Sequence, residues 1–352
     1  MVVALAKEIV LRKDELLNEK VETIYFGGGT PSLLSTHEVV LLIDTIKEHY
    51  NVAENPEITL EANPDDLTPQ RINAYANTPI NRLSIGIQSF FEEDLKLMNR
   101  AHNAQEAKRC IEEASKFFSN ISIDLIYGIP NMNNSRWLLN IETALAFGIP
   151  HISSYALTVE PKTALADFIK KGIVAPVDDD LAQQHFLTLV DVLEGNGFVH
   201  YELSNFGKEG YFSKNNTAYW QGKKYLGIGP SAHSYDGFSR SWNVANNTKY
   251  LKALAEGQVP QEKETLTKTD RYNEYVMTGL RTIWGVSFDK VEHEFGETYR
   301  AYLFTQAEKY LAEKLLELIN GDETGPVLKC TKKGKFLADG IAADLFLLNK
   351  RF

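Results

Sequence analysis

Cysteine is nearly absent from this sequence: Cys110 and Cys330 are the two it contains, and they lie far apart. A pair so placed builds neither a disulfide framework nor a zinc motif. Cys110, within the helical pattern of residues 104–117, reads as a small buried hydrophobe. Long apolar runs are missing too. None approaches the roughly 18 residues of a membrane-spanning helix, so no span is expected. Positive charge is in short supply, with 37 Lys and Arg against 47 Asp and Glu, a net charge of −10. Phosphate-backbone binding needs clustered cations, so a nucleic acid is not the expected partner. Small basic pairs such as Lys223-Lys224 and Lys332-Lys333 read as solvated faces. There are no repeats or low-complexity tracts and no cleavable signal architecture, which makes the cytoplasm the expected location.

What is present is a chain of 352 residues with enough apolar content, 43%, to form two or three domains or one large α/β unit with an appendage. Residues 1–19 read as an amphipathic helix, with Leu5, Ile9, Val10, Leu16 and Leu17 interleaved with Lys and Glu. Strand-like runs at 21–26, 57–61, 82–85, 121–126 and 151–157 alternate with helical stretches at 37–50, 67–76, 92–118 and 135–147. That alternation implies βαβ units, a parallel sheet and ligands at the carboxyl ends of its strands. Beyond Glu160-Pro161 the pattern changes. A periodic helix at 178–195 precedes a strand at 200–203 and an Asn-, Gly- and aromatic-rich stretch to residue 247. Helices follow at 270–282, 288–295 and 299–320, then a turn at 321–325, a strand at 327–331 and a helix at 337–347. This last order resembles a winged-helix arrangement.

Several polar residues fall at or just beyond those strand ends. Gly27-Gly28-Gly29-Thr30-Pro31 follows the first strand. Without Cβ atoms, it lets a ligand approach the main chain closely. It carries no P-loop Lys-Ser/Thr pair and is not a GxGxxG fingerprint, so alone it is equally a tight βα connection. Glu61, before Asn63-Pro64, could accept both hydroxyls of a ribose or act as a capping or ion-pairing acid. Gln88, in Ser84-Ile85-Gly86-Ile87-Gln88-Ser89, can donate and accept. Arg100, in Met98-Asn99-Arg100-Ala101-His102, can grip a carboxylate bidentately or sit in a surface ion pair. Asp124 is flanked by apolar residues and must face a buried partner or a ligand. Five such groups in order on one α/β scaffold point to a shared site.

The runs Ile24-Tyr25-Phe26-Gly27-Gly28-Gly29-Thr30-Pro31-Ser32, Glu61-Ala62-Asn63-Pro64, Ser84 to Ser89 and Asp124-Leu125-Ile126-Tyr127-Gly128-Ile129-Pro130 resemble those of the radical S-adenosylmethionine (SAM) enzymes related to oxygen-independent coproporphyrinogen III oxidase. Within that family the heme chaperone branch is the better match. Tyr201-Glu202-Leu203-Ser204-Asn205-Phe206, Asn216-Thr217-Ala218-Tyr219-Trp220 and Tyr225-Leu226-Gly227-Ile228-Gly229-Pro230-Ser231-Ala232-His233 carry this likeness. The resemblance extends over nearly the whole chain, including Gly279-Leu280-Arg281-Thr282. It implies that Gly28, Gly29 and Thr30 contact the methionine part of SAM. Glu61 and Asp124 would address the ribose side, with Gln88 and Arg100 completing the grip. It also implies a [4Fe–4S] cluster held by Cys-x3-Cys-x2-Cys in a loop after the first barrel strand, and those cysteines are absent from this sequence. The expectation is therefore that this chain lacks the first strand and its loop, through a start placed about forty residues late or as a degenerate homologue. No cluster and no reductive cleavage are then expected of it.

The heme relatives carry His-Asn-x-x-Tyr-Trp where this chain reads Asn215-Asn216-Thr217-Ala218-Tyr219-Trp220. An amide is a poor axial ligand beside imidazole. His233 is a candidate substitute, or a structural histidine in a Gly-rich turn. Tyr219 and Trp220 could stack on a porphyrin or simply be core aromatics. The expected architecture is a partial parallel (β/α) radical SAM barrel over residues 1–165, its first strand missing. An α+β extension over 166–262 and a mostly helical, winged-helix-like domain over 263–352 follow. The expected function is that of a heme chaperone binding heme and SAM and delivering heme to an acceptor protein. The alternative is an oxygen-independent coproporphyrinogen III dehydrogenase, and a third reading is a bare nucleotide-binding relative with neither activity.

Overall fold

The computed structural model describes residues 1–321 and 325–348. Its elements, in chain order, are α1 (Val2–Leu11), β1 (Val21–Phe26), α2 (Thr36–His49), β2 (Val52–Ala62), α3 (Pro69–Ala76), β3 (Arg82–Gln88), α4 (Glu92–Leu97), α5 (Ala104–Ala114), β4 (Ile121–Tyr127), α6 (Asn134–Ala146) and β5 (His151–Ala156). Then come α7 (Ala164–Lys170), α8 (Asp179–Gly195), β6 (Val199–Glu202), β7 (Asn205–Gly207), α9 (Lys214–Trp220), β8 (His233–Tyr235), β9 (Ser239–Asn243) and α10 (Asn247–Ala255). The last are β10 (Gln261–Thr265), α11 (Lys268–Leu280), β11 (Val286–Ser287), α12 (Phe288–Phe295), α13 (Glu297–Ala312), β12 (Leu316–Gly321), β13 (Gly325–Cys330), α14 (Lys332–Lys335) and α15 (Ala338–Asp344). The chain divides into two compact units. One comprises Val21–Ile43 and Val52–Lys214, the other Met1–Lys20, Asp44–Asn51 and Asn215–Phe352.

The first unit is a curled, parallel-rich half-barrel. Its seven strands run in the order β1-β2-β3-β4-β5-β7-β6. β1 to β5 are parallel, and β7 and β6 close the series antiparallel. Period-two alternation sorts the side chains onto two faces. Ile58, Leu60, Leu83, Ile85, Ile87, Ile123, Leu125 and Ile152 are fully or nearly fully buried on the outer face. Helices between the strands bury their own apolar stripes, among them Ile72 and Tyr75 of α3, Ile111 of α5, and Trp137 and Ile141 of α6. Each fully buried large side chain contributes roughly 1.5–3 kcal/mol of hydrophobic stabilisation. The alternate residues Tyr25, Thr59, Glu61, Arg82, Ser84, Gly86, Gln88, Ser122, Asp124, His151, Ser153 and Tyr155 lie on the other face, which is consequently polar.

Two breaks in this unit depart from the sequence reading. The stretch expected to form one helix over 92–118 is two, α4 and α5. α4 ends in a Schellman motif with Asn99 in the left-handed region at φ 53°, where the Arg100 amide bonds Leu95 O and the Asn99 amide bonds Lys96 O. α5 then opens with a reciprocal capping box between Asn103 and Glu106. β2 is longer than the expected 57–61, because Val52 already pairs with Val21.

In the second unit, α1 is followed by a 3-10 turn over Lys13–Leu16 in place of one helix to residue 19. Its organising centre is the buried Glu8 carboxylate, which accepts hydrogen bonds from Arg12 Nη1 (3.1 Å), the Gly229 amide (2.8 Å), Asn243 Nδ2 (2.6 Å) and Tyr250 Oη (2.5 Å). The Asn- and Gly-rich stretch supplies β8 and β9, which with β10 form a three-stranded antiparallel sheet in the order β10-β9-β8. Further on, α11, β11, α12, α13 and the β12–β13 hairpin follow in winged-helix order, with β13 between β11 and β12. The helix expected over 299–320 stops at Ala312. Lys314 takes φ 57°, and Leu316–Gly321 is a strand paired with β13. The pairing overrides the helix propensity of its Leu and Glu residues. The turn expected at 321–325 falls on residues 322–324, which lie outside those described.

Candidate functional site

At the carboxyl end of β1, Gly28 and Gly29 take consecutive left-handed conformations, φ 71° and 70°, and among the described residues nothing beyond their chain neighbours lies within 4 Å of where either Cβ would project. Backbone conformation, not crowding, calls for glycine there. The turn is held from the neighbouring strand, where Glu61 Oε2 accepts the Gly28 amide at 3.3 Å and Oε1 accepts Tyr25 Oη at 2.6 Å. Burial and this carboxylate push the Tyr25 phenol well above its usual range. Thr30 leads into a 3-10 turn over Pro31–Leu33, whose Ser32 Oγ donates to Asp66 at 2.7 Å.

Gly86 of β3 gives the scale of the rest. A Cβ there would stand 3.0 Å from Gln88 Nε2, 3.3 Å from Arg100 Nη2 and 3.6 Å from Asn63 Oδ1. The end of β3 and residues from the connections before and after it therefore meet over one glycine. Arg100 Nη2 donates to Asn63 Oδ1 at 2.8 Å and to Gly86 O at 3.4 Å, and its Nε has no hydrogen-bond partner among the described residues. Tyr155, on β5, donates to Gln88 Oε1 at 3.4 Å. Gln88 itself has φ 67°, and the Ser89 amide bonds Ile87 O at 2.9 Å across it. An i-to-i+2 bond closing over a positive φ is a γ-turn, a rare and strained conformation.

Asp124, on β4 opposite Ser153, completes the group. It keeps some exposed area yet is densely surrounded by protein. Burial, and next the Glu61 carboxylate, raise its pKa to about 7, against the opposing pull of Arg82 and Arg100. Arg82 is 2% exposed, and its Nε lacks a hydrogen-bond partner among the described residues. Further along the same face, His151 is buried between Ser122 Oγ and Tyr201 Oη, each at 2.7 Å, and burial drives its pKa well down.

Gly28, Gly29, Glu61, Gln88, Arg100 and Asp124 are thus gathered within one polar neighbourhood of the half-barrel, and Thr30 follows directly on the glycine pair. Two carboxylates, an amide, a guanidinium and open main-chain amides suit a ligand with vicinal hydroxyls and a zwitterionic end. Tyr25, Asn63, Tyr155 and His102 belong to the same neighbourhood but were not singled out from the sequence. Tyr25 was counted in an apolar run, although its alternation with Ile24 places it on the polar face.

The remaining candidates lie in the other unit. Asn216, Tyr219 and Trp220 are on α9, with Tyr219 50% exposed. Tyr219 meets Trp220 edge-on at 5.2 Å and Tyr225 at 5.5 Å, and Tyr225 in turn meets Tyr235 at 6.2 Å. The Arg281 guanidinium lies 4.9 Å over Trp220. His233 is exposed at the start of β8, two residues from Tyr235, with Trp242 at 6.1 Å. Cys110 and Cys330 are both buried, and burial pushes each thiol up to about 12, so neither is placed as a thiolate ligand. Among the described residues no group of three His, Cys, Asp or Glu could hold a metal ion.

Residues 3–156 match the Radical SAM superfamily, and residues 266–337 match the HemN C-terminal domain. The chain is 35% identical to the heme chaperone HemW of Lactococcus lactis subsp. lactis (strain IL1403), over 86% of this chain and 78% of that protein. It is 32% identical to the heme chaperone HemW of Bacillus subtilis (strain 168), over 96% and 89% respectively. Among solved structures, the coproporphyrinogen III oxidase HemN of Escherichia coli, described as a radical SAM enzyme, superposes with a TM-score of 0.81. It shares 21% identity and covers 98% of this chain and 82% of its own, a likeness of fold. The chain belongs to the heme chaperone branch of the radical SAM, oxygen-independent coproporphyrinogen III oxidase-like family.

Proposed function

We propose that this protein is a heme chaperone of the radical SAM class, which binds S-adenosylmethionine in the half-barrel, binds heme through its other unit and passes heme to an acceptor protein. The observation that carries the first part is the meeting of Gln88, Arg100 and Asn63 over Gly86, beside Glu61, Asp124 and the open Gly28-Gly29 turn. This donor set fits the cofactor. Glu61 and Asp124 accept ribose hydroxyls, Gln88 donates and accepts, Arg100 grips a carboxylate, and Gly28, Gly29 and Thr30 receive the methionine end. In its class, SAM bound beside a [4Fe–4S] cluster supplies a radical. Cys110 and Cys330, both buried, do not fit such a cluster.

Heme binding rests on the relatives' names and on the half-exposed Tyr219, whose ring could cover a porphyrin face, with His233 as the imidazole donor. Among the described residues no helix is long and apolar enough to cross a membrane, and we place the protein in the cytoplasm. The test is titration of the full chain with heme, followed by Soret absorbance, and with SAM, followed by calorimetry. Saturable binding of both is expected. His233→Ala should shift the Soret band and weaken heme binding, and an unchanged spectrum removes His233 as the ligand. Failure to bind heme at all would contradict the chaperone reading.

A further inference from the structure

His102 is 3% exposed, on the segment between the Schellman motif that places Arg100 and the capping box that starts α5. Its Nε2 lies 3.0 Å from Ile87 O. A carbonyl only accepts, so Nε2 must carry the proton and donate. The same oxygen accepts the Ser89 amide at 2.9 Å, the bond that closes the γ-turn around Gln88. The other ring nitrogen, Nδ1, is buried without a hydrogen bond among the described residues and stands 3.7 Å from Asp65 Oδ1, two residues after Asn63, the Arg100 partner. One imidazole therefore touches the Gln88 turn, belongs to the Arg100 segment and faces the loop that follows Glu61.

A strained turn persists only where its surroundings hold it. The Ser89 amide bond is local and closes the turn without fixing it in space. The His102 bond ties the turn's Ile87 carbonyl to the Arg100 segment, while Tyr155 bonds Gln88 and Ser89 Oγ bonds Asp94 at 2.7 Å on its other sides. Burial lowers the pKa of His102, with Asp65, Arg100 and Glu106 the charged groups around it, so the ring is neutral at physiological pH and the Nε2–H tautomer is fixed by its acceptor.

We propose that His102 is a positioning residue of the half-barrel site, a clamp that holds Gln88 and Arg100 in the arrangement that receives SAM. The inference rests on that site being one for SAM, and two measurements separate the claims. The first is hydrogen exchange of the ligand-free full chain, which needs no cofactor. In His102→Ala the amides of residues 88–90 and 99–103 should exchange about tenfold faster, while those of β4 and α6 stay as in wild type. In His102→Gln, whose Nε2 can reach Ile87 O, exchange should return close to the wild-type rate. The second is calorimetric titration with SAM, in which His102→Ala should weaken binding roughly tenfold, the scale of one lost hydrogen bond. His102→Gln should restore most of the affinity.

Unchanged exchange in both segments of His102→Ala overturns the clamp. So does equal damage in the Ala and Gln variants, because a purely space-filling imidazole would not distinguish them. If His102→Ala fails to fold, wild-type exchange and affinity in His102→Gln uphold the clamp, and loss of both in that variant overturns it. A wild-type chain that binds no SAM, with the exchange pattern as expected, overturns the SAM reading and leaves the clamp standing as the device that orders this rim.

Discussion

Gln88 bears a left-handed backbone that its side chain makes costly. A non-glycine residue held in such a turn stores about 1–3 kcal/mol, and what is gained is the placement of its amide 3.0 Å from the Cβ position of Gly86, beside Arg100. Gln88→Gly should therefore raise unfolding stability by about 1 kcal/mol while weakening SAM binding. Chemical denaturation and calorimetry read the two effects separately, and a fall in both would contradict this trade. Asp124 gives a pH signature. Its folded-state pKa, about 7, lies above the ordinary 3.8, so the folded form is disfavoured as pH rises through that window and the acid loses its proton. Wild type should lose stability relative to Asp124→Asn between about pH 4 and pH 7. Because a carboxylate is the better acceptor for a ribose hydroxyl, binding below pH 7 should release a proton, and the measured enthalpy should vary with buffer. In Asp124→Asn that dependence should vanish.

At the scale of single elements, local sequence signals were strongest where they were also chemically explicit. The strands β1 to β5 were legible because short apolar runs alternate with helix-length periodic stretches. The break between α4 and α5 was also written, in Asn99 and in the Asn103/Glu106 pair, but the helix-forming residues on either side hid it. β12 was not legible, since Leu316, Glu317 and Leu318 suit a helix, and only pairing with β13 decides for a strand. Glu8 shows the same limit, for a helix residue among Lys7 and Ile9 gives no hint of three donors more than two hundred residues away. Removing its carboxylate by Glu8→Ala leaves Arg12, Asn243, Tyr250 and the Gly229 amide without their shared acceptor. The cost should be about 3–5 kcal/mol, read as a lowered denaturation midpoint with Glu8→Gln intermediate. A loss under 1 kcal/mol, the level of an exposed ion pair, would show that Glu8 does not organise this unit.

Across the whole molecule, the seven-stranded half-barrel forms one compact unit, and the winged-helix-ordered C-terminal region belongs to the other. The half-barrel's polar face gathers side chains from successive βα connections, as strand ends in parallel sheets do. Much of this site was legible as motifs, because Glu61, Gln88, Arg100 and Asp124 sit at strand ends or just beyond. Its depth was not, because Arg82, His151 and Tyr201 become one buried layer only when β3, β5 and β6 are brought into register. The most direct test of the central claim is a crystal structure of the full chain grown with SAM. We expect the ribose between Glu61 and Asp124 and the methionine end against Gly28, Gly29 and Thr30, with Gln88 and Arg100 in contact. A ligand seated away from these side chains, or their dispersal over separate surfaces, would contradict it.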